Sequence, residues 1–172
     1  PLRSRPAPPT LPQRTTQTAA ASSQGTLATI AVMNVYDGDF QWPADAEIKA
    51  LRVIQVLPKT TPPADKPRIG VATETNARAV LGTVPVESDG SAYFEAPVGK
   101  LVYFQALDDR GMAVQSMRSA TYVHPGEQLT CQGCHERKHS PPGRFNEPPM
   151  ALRRAPSGIT PAAGGGDPGG YP

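Results

Sequence analysis

The sequence predicts a mainly β chain: a small antiparallel β-sandwich followed by a short helical segment, flanked by proline- and glycine-rich tails. Two observations carry that prediction. Short runs of alternating apolar and polar residues recur through the middle of the chain, each closed by a turn signal. Of the 21 prolines, 13 fall in residues 1–12 and 141–172, only 44 positions, which leaves a proline-poor middle able to pair strands. The chain accordingly divides into a proline-rich linker at 1–25, a sandwich at 26–140 and a proline- and glycine-rich linker at 141–172. A middle of that length buries a modest core.

The first strand is read at Thr26–Tyr36 and meets the turn Asp37-Gly38-Asp39. The second spans Ile48–Leu57, where Lys49, Arg52 and Gln55 keep only part of the alternation. Residues 58–79 are polar and proline-bearing and read as a long loop. Val80–Val86 is the third strand, and Ser88-Asp89-Gly90-Ser91 is a hairpin turn signal leading into Ala92–Ala96. After a turn at Pro97-Val98-Gly99, Leu101–Leu107 is the strongest strand pattern and stops at Asp108-Asp109-Arg110-Gly111. Ala113–Met117 and Ala120–Val123 supply one or two more.

Composition removes several function classes. A formal net charge of +2 is too small to argue for nucleic acid or an acidic membrane as partner. With no run of about 18 apolar residues, no membrane span is expected in this segment. The chain offers no serine–histidine–aspartate arrangement, no phosphate-cradling glycine loop and no convincing carboxylate pair; Asp108-Asp109 reads as a turn. It opens on Pro1 without a signal peptide and closes in a Gly/Pro stretch at 164–172, so a segment of a longer protein is expected.

The chemistry concentrates in Cys131-Gln132-Gly133-Cys134-His135, which holds the only two cysteines. Two thiols one helical turn apart, followed at once by an imidazole, form the attachment signature of a c-type haem. On a helical turn the thiols face one way and add to the two vinyl groups of one porphyrin, and the histidine then serves as proximal ligand. Zinc is the competing reading, with Cys131, Cys134, His135 and His139 as ligands. All four fall within nine residues, however, whereas a zinc finger sets its second pair a dozen or so residues from the first. A redox pair or a small strained disulfide is the remaining alternative. Haem c is the cofactor expected, with zinc second.

Around the motif, Val114, Met117 and Tyr122 are candidates to pack on a haem face, each equally a core residue. Arg137, Lys138, Arg144, Arg153 and Arg154 are candidates to pair with propionates, or simply to solvate the tail. A sixth, distal ligand is sought among His124, Met112, Met117 and Met33. Two strong axial ligands imply an electron carrier, and an open iron implies chemistry on a small molecule.

Several blocks together resemble the middle domain of hydrazine synthase alpha-subunit-like proteins. They are Leu81–Phe94, Phe104–Asp108, Met117-Arg118-Ser119, Pro125-Gly126-Glu127 and Cys131–Glu136, with Val35–Gly38 and Ile48–Val53 before them. The resemblance covers about residues 26–155 and implies large secreted proteins of planctomycete-type bacteria, in which a propeller precedes this domain and further haem segments follow. It also implies thioethers at Cys131 and Cys134. In true hydrazine synthase the histidine matching His135 is diverted to zinc, and a tyrosine four residues on ligates the iron. This chain has His139 there, a departure from that pattern. On a helix, residues four apart share one face, so His135 and His139 do not sit trans across one iron.

The expected function is a c-type haem domain passing electrons within a larger periplasmic or otherwise secreted redox protein. Its partners are then a redox protein or other haem domains of the same parent chain. The alternatives are a catalytic haem acting on small nitrogen compounds with partner subunits, and a zinc-stabilised structural sandwich.

Overall fold

The computed structural model describes residues 27–59, 61–63, 65–66, 68–72, 75–135, 139, 141, 143 and 147–161. Seven strands follow in order: β1 Leu27–Val32, β2 Ala50–Val56, β3 Arg78–Pro85, β4 Ala92–Pro97, β5 Val102–Leu107, β6 Ala113–Ser116 and β7 Gln128–Cys131. A 3-10 turn at Met150–Arg153 comes after them. The strands build two sheets, β4-β1-β7 and β3-β2-β5-β6. The predicted mainly β, two-sheet architecture is therefore present. One pairing departs from the antiparallel expectation: β7 runs parallel to β1, with Val32 opposite Cys131.

The core follows from the two-residue strand period. Ala28, Ile30 and Val32 of β1 and Ala92, Phe94 and Ala96 of β4 turn inward from one sheet. Leu51 and Val53 of β2 and Val102, Phe104 and Ala106 of β5 answer them from the other. Phe94 and Phe104 meet across the layers edge to face, their centroids 5.6 Å apart, the geometry that ring quadrupoles favour.

The segment Ser88–Ser91, expected to close a hairpin, instead carries the chain from one sheet to the other. It is a tight turn, with the Gly90 N–H donating to the Glu87 carbonyl at 2.9 Å and Gly90 at φ 82°. Yet β3 pairs with β2 while β4 pairs with β1. Val84 and Phe94, on either side of this turn, are both fully buried and enter the one core from opposite sheets. Of the strand expected at Ala120–Val123, only a bridge from Thr121 to Val102 forms, although Val123 is fully buried.

Residues 147–161, expected to be linker, pack on the sandwich. Thr160 and Thr83 exchange backbone hydrogen bonds of 2.9 Å, and Ser157 bonds to Tyr93 and Glu95 of β4. The segment thus covers the outer edges of β3 and β4, which would otherwise present unpaired backbone groups. Gly82 permits this: a Cβ there would lie 2.1 Å from the Thr160 carbonyl oxygen. Fully buried Ser91 anchors the segment as well, accepting the Ala151 N–H at 3.0 Å and donating to the Asp89 carboxylate at 2.6 Å. Burial pushes the Asp89 carboxyl up, but the N–H of Met150 and the hydroxyl and N–H of Ser91 outweigh it and hold it below the usual carboxylate range.

Candidate functional site

Cys131 is the last residue of β7, and Gln132 to His135 leave it through a bend. The helical turn expected to carry the two cysteines is not what residues 131–135 adopt. The reason is pairing. After β1 ends, Met33 and Asn34 still donate their N–H groups to the Cys131 and Gln132 carbonyls at 2.9 and 3.1 Å. Those carbonyls are committed sideways rather than along a helix. Both cysteines are half-buried and pack against the apolar core cluster at the sheet edge.

The loop after β1 cradles the motif. Gly133 lies so close beneath it that an added Cβ would stand 2.0 Å from the Asp37 carbonyl oxygen and 2.9 Å from that of Asn34. Backbone atoms cannot step aside as a side-chain tip can. Gly133→Ala is therefore expected to push the motif off this loop, at about 1–3 kcal/mol. A lowered unfolding midpoint is the check, and an unchanged one would show that the loop yields freely.

His135 closes the motif with two contacts to the same loop. Its Nδ1 lies 2.7 Å from Asp39 Oδ1, and its carbonyl accepts the Asp39 N–H at 3.0 Å. His135 also has φ 105°, the one non-glycine residue with positive φ among those described. Such backbone costs about 1–3 kcal/mol and persists only where the surroundings enforce it. The half-exposed contact with Asp39 returns only about 0–1 kcal/mol.

An aromatic group stiffens the loop that bears Asp39. Trp42 packs on Tyr36 at 5.6 Å and on Phe40 at 4.9 Å. The Trp42 indole donates to the Tyr36 carbonyl at 3.2 Å, and the Ile48 N–H donates to the Tyr36 hydroxyl at 2.7 Å. Asp39 read in the sequence only as a turn residue. Its partner is 96 positions away, and no local spacing signals such a pair.

The other candidates are scattered. His124 is exposed, its ring edge-on to Tyr122 at 5.2 Å and its N–H donating to Glu127 at 2.7 Å. The extended β7, three steps of about 3.3 Å, holds it at the end of the strand away from Cys131. Met117 sits beyond β6 in the other sheet, its N–H donating to the Phe104 carbonyl at 2.9 Å. Both it and Val114 pack on the core. Met112, 62% exposed, tips the β5–β6 turn, and Tyr122 is exposed. Met33 stands beside the motif, bonded to Cys131, and helps line a cavity of about 430 Å³ with Asn34, Asp89, Pro149, Met150 and Arg153.

Arg154 and Arg153, offered above for propionates, are engaged elsewhere, with Glu87 and Glu147, each at 2.8 Å. Arg137, Lys138 and Arg144 lie outside the described residues. His139 is exposed. Among the described residues no three His, Cys, Asp or Glu side chains gather as a metal cage would require, so the four-ligand zinc arrangement is not assembled here.

Fold and site together define a two-sheet β-sandwich that carries a Cys-x-x-Cys-His segment at the end of an edge strand. The chain belongs to the hydrazine synthase alpha subunit middle domain family, whose profile matches residues 46–136. It is 32% identical over 103 residues to hydrazine synthase subunit alpha of Kuenenia stuttgartiensis, a match covering 52% of this chain and 13% of that protein. Among solved structures, Kuenenia stuttgartiensis hydrazine synthase superposes with a TM-score of 0.58 at 24% identity, over 75% of this chain and 20% of that one. The chain thus spans only a small part of either relative. Among the described residues no helix is long and apolar enough to cross a membrane.

Proposed function

We propose that this chain is a c-type haem domain of a larger periplasmic or otherwise secreted redox protein, resembling the hydrazine synthase alpha subunit, and that it passes electrons to a redox partner or to other haem domains of its parent chain. The observation that carries the reading is the Cys131–His135 segment, anchored on loop 34–39 with the Nδ1 of the His135 imidazole tied to Asp39.

The residue types present fit such a group, although residues 131–135 carry the thiols on a strand end and a bend rather than on a helical turn. Cys131 and Cys134 offer sulfur at an apolar border, where a porphyrin edge loses little by leaving water. His135 offers an imidazole whose side chain is 55% exposed. Gln132 carries a buried amide nitrogen with no hydrogen-bond partner, which costs about 1–3 kcal/mol and suits a ligand with acceptor oxygens such as propionates. When bound, the haem supplies a one-electron iron couple. Cys131 and Cys134 would hold it covalently and His135 would ligate it; Met33, whose N–H donates to the Cys131 carbonyl, is the methionine nearest the motif in the chain's pairing. His139 is the alternative ligand, and zinc at His135, as the resemblance implies for true hydrazine synthase, is the competing assignment.

Family membership favours one second reading, a catalytic haem acting on small nitrogen compounds together with partner subunits. A pyridine haemochrome spectrum of the chain, made in a periplasm with c-type maturation machinery, tests the first claim. The expected result is a c-type α-band that survives acid–acetone extraction. Zinc without haem on metal analysis would overturn it in favour of a structural sandwich. Carbon monoxide then separates the two haem readings: an electron carrier with two strong axial ligands leaves the reduced spectrum unchanged, and an open iron shifts it.

A further inference from the structure

We propose that Asp39 is the positioning residue of His135, fixing the ring so that Nε2 is the nitrogen presented to the haem iron. The proposal rests on the haem reading above and names the residue that acts through the proximal ligand. An ionised carboxylate only accepts hydrogen bonds. The 2.7 Å contact between His135 Nδ1 and Asp39 Oδ1 therefore puts the ring hydrogen on Nδ1, which donates. In that tautomer Nε2 is the nitrogen that carries the lone pair, the atom a metal requires.

The contact is built rather than incidental. It spans 96 residues. A second bond, from the Asp39 N–H to the His135 carbonyl at 3.0 Å, fixes the two residues at backbone level as well. The Tyr36–Phe40–Trp42 cluster holds the Asp39 side of the pair. On the other side, His135 accepts the left-handed backbone conformation at φ 105° that delivers its ring to this place. A histidine meant only for solvent has no need of that conformation.

The chemistry follows from the partner's charge. Metal-bound histidines commonly donate their second N–H to a carboxylate, which orients the ring and raises its basicity as a ligand. A more basic ligand favours ferric over ferrous iron, so Asp39 lowers the potential of the domain relative to a neutral acceptor. Asp39→Asn keeps the shape and a hydrogen-bond acceptor but removes the charge.

The test uses the haem-loaded chain, with haem stain, circular dichroism, ferric electron paramagnetic resonance and spectroelectrochemical titration as readouts. Asp39→Asn is expected to keep covalent haem and fold, to change the ferric g-values, and to shift the ferric/ferrous ratio at a given potential on the order of tenfold towards ferrous, about 59 mV for one electron. Asp39→Glu is expected to restore most of the shift. In a His135→Ala background the same exchange is expected to be silent, because Asp39 acts through His135. An unchanged potential in Asp39→Asn, or an equal shift when His135 is absent, overturns this inference and leaves the haem reading standing. A parent chain that takes up no covalent haem overturns both.

Discussion

The double variant Cys131→Ser, Cys134→Ser is expected to abolish haem staining of the denatured chain while the sandwich remains folded. Serine has no thiol to add to a vinyl group, so no thioether forms at either place. Cys131 at the end of β7 and Cys134 in the bend after it are both half-buried, and a hydroxyl there costs about 0.5–2 kcal/mol, small beside the about 5–15 kcal/mol of a typical domain. The β-type circular dichroism should therefore survive. Each single variant keeps one attachment point and should retain part of the stain. Stain equal to the parent chain in the double variant would sink the haem assignment, whatever the fold of the mutant.

Phe94→Ala is expected to be the most damaging single exchange in the core, at about 3–5 kcal/mol. Its ring is fully buried and meets Phe104 edge to face at 5.6 Å, so truncation removes apolar contact and opens a void between the sheets. Its backbone also lies opposite Ser157 in the bridge that docks the segment 147–161. Urea unfolding should show a midpoint lowered in proportion, with a nearly unchanged slope. A loss under about 1 kcal/mol would mean that the sheets close over the gap and that this contact is not what joins the layers.

Much of the sandwich was legible because its signal is local. Ile30 and Val32, Leu51 and Val53, and Val102, Phe104 and Ala106 all sit at every second position and all point inward, as a half-buried strand must. The Cys131–His135 spacing was equally plain. The short β7 was not: Gln128-Leu129-Thr130-Cys131 shows only two cycles of alternation, too little to separate a strand from the helical turn that the motif suggested. The segment 147–161 was masked by its prolines, which mark linkers and capped edges alike.

By itself the sequence determined which residues are apolar at which period, and hence that two sheets bury one core. It also singled out the Cys131–His135 segment, on which the proposed haem attachment rests. Only the tertiary structure decided how the sheets are joined: that Ser88–Ser91 crosses between layers, and that β7 pairs parallel to β1. It alone also decided that Asp39 meets His135. Periodicity and motif spacing act over a few residues, where the chain's own geometry sets the neighbours. The Asp39–His135 pair spans 96 positions, and only burial of the shared core brings those two ends of the domain together.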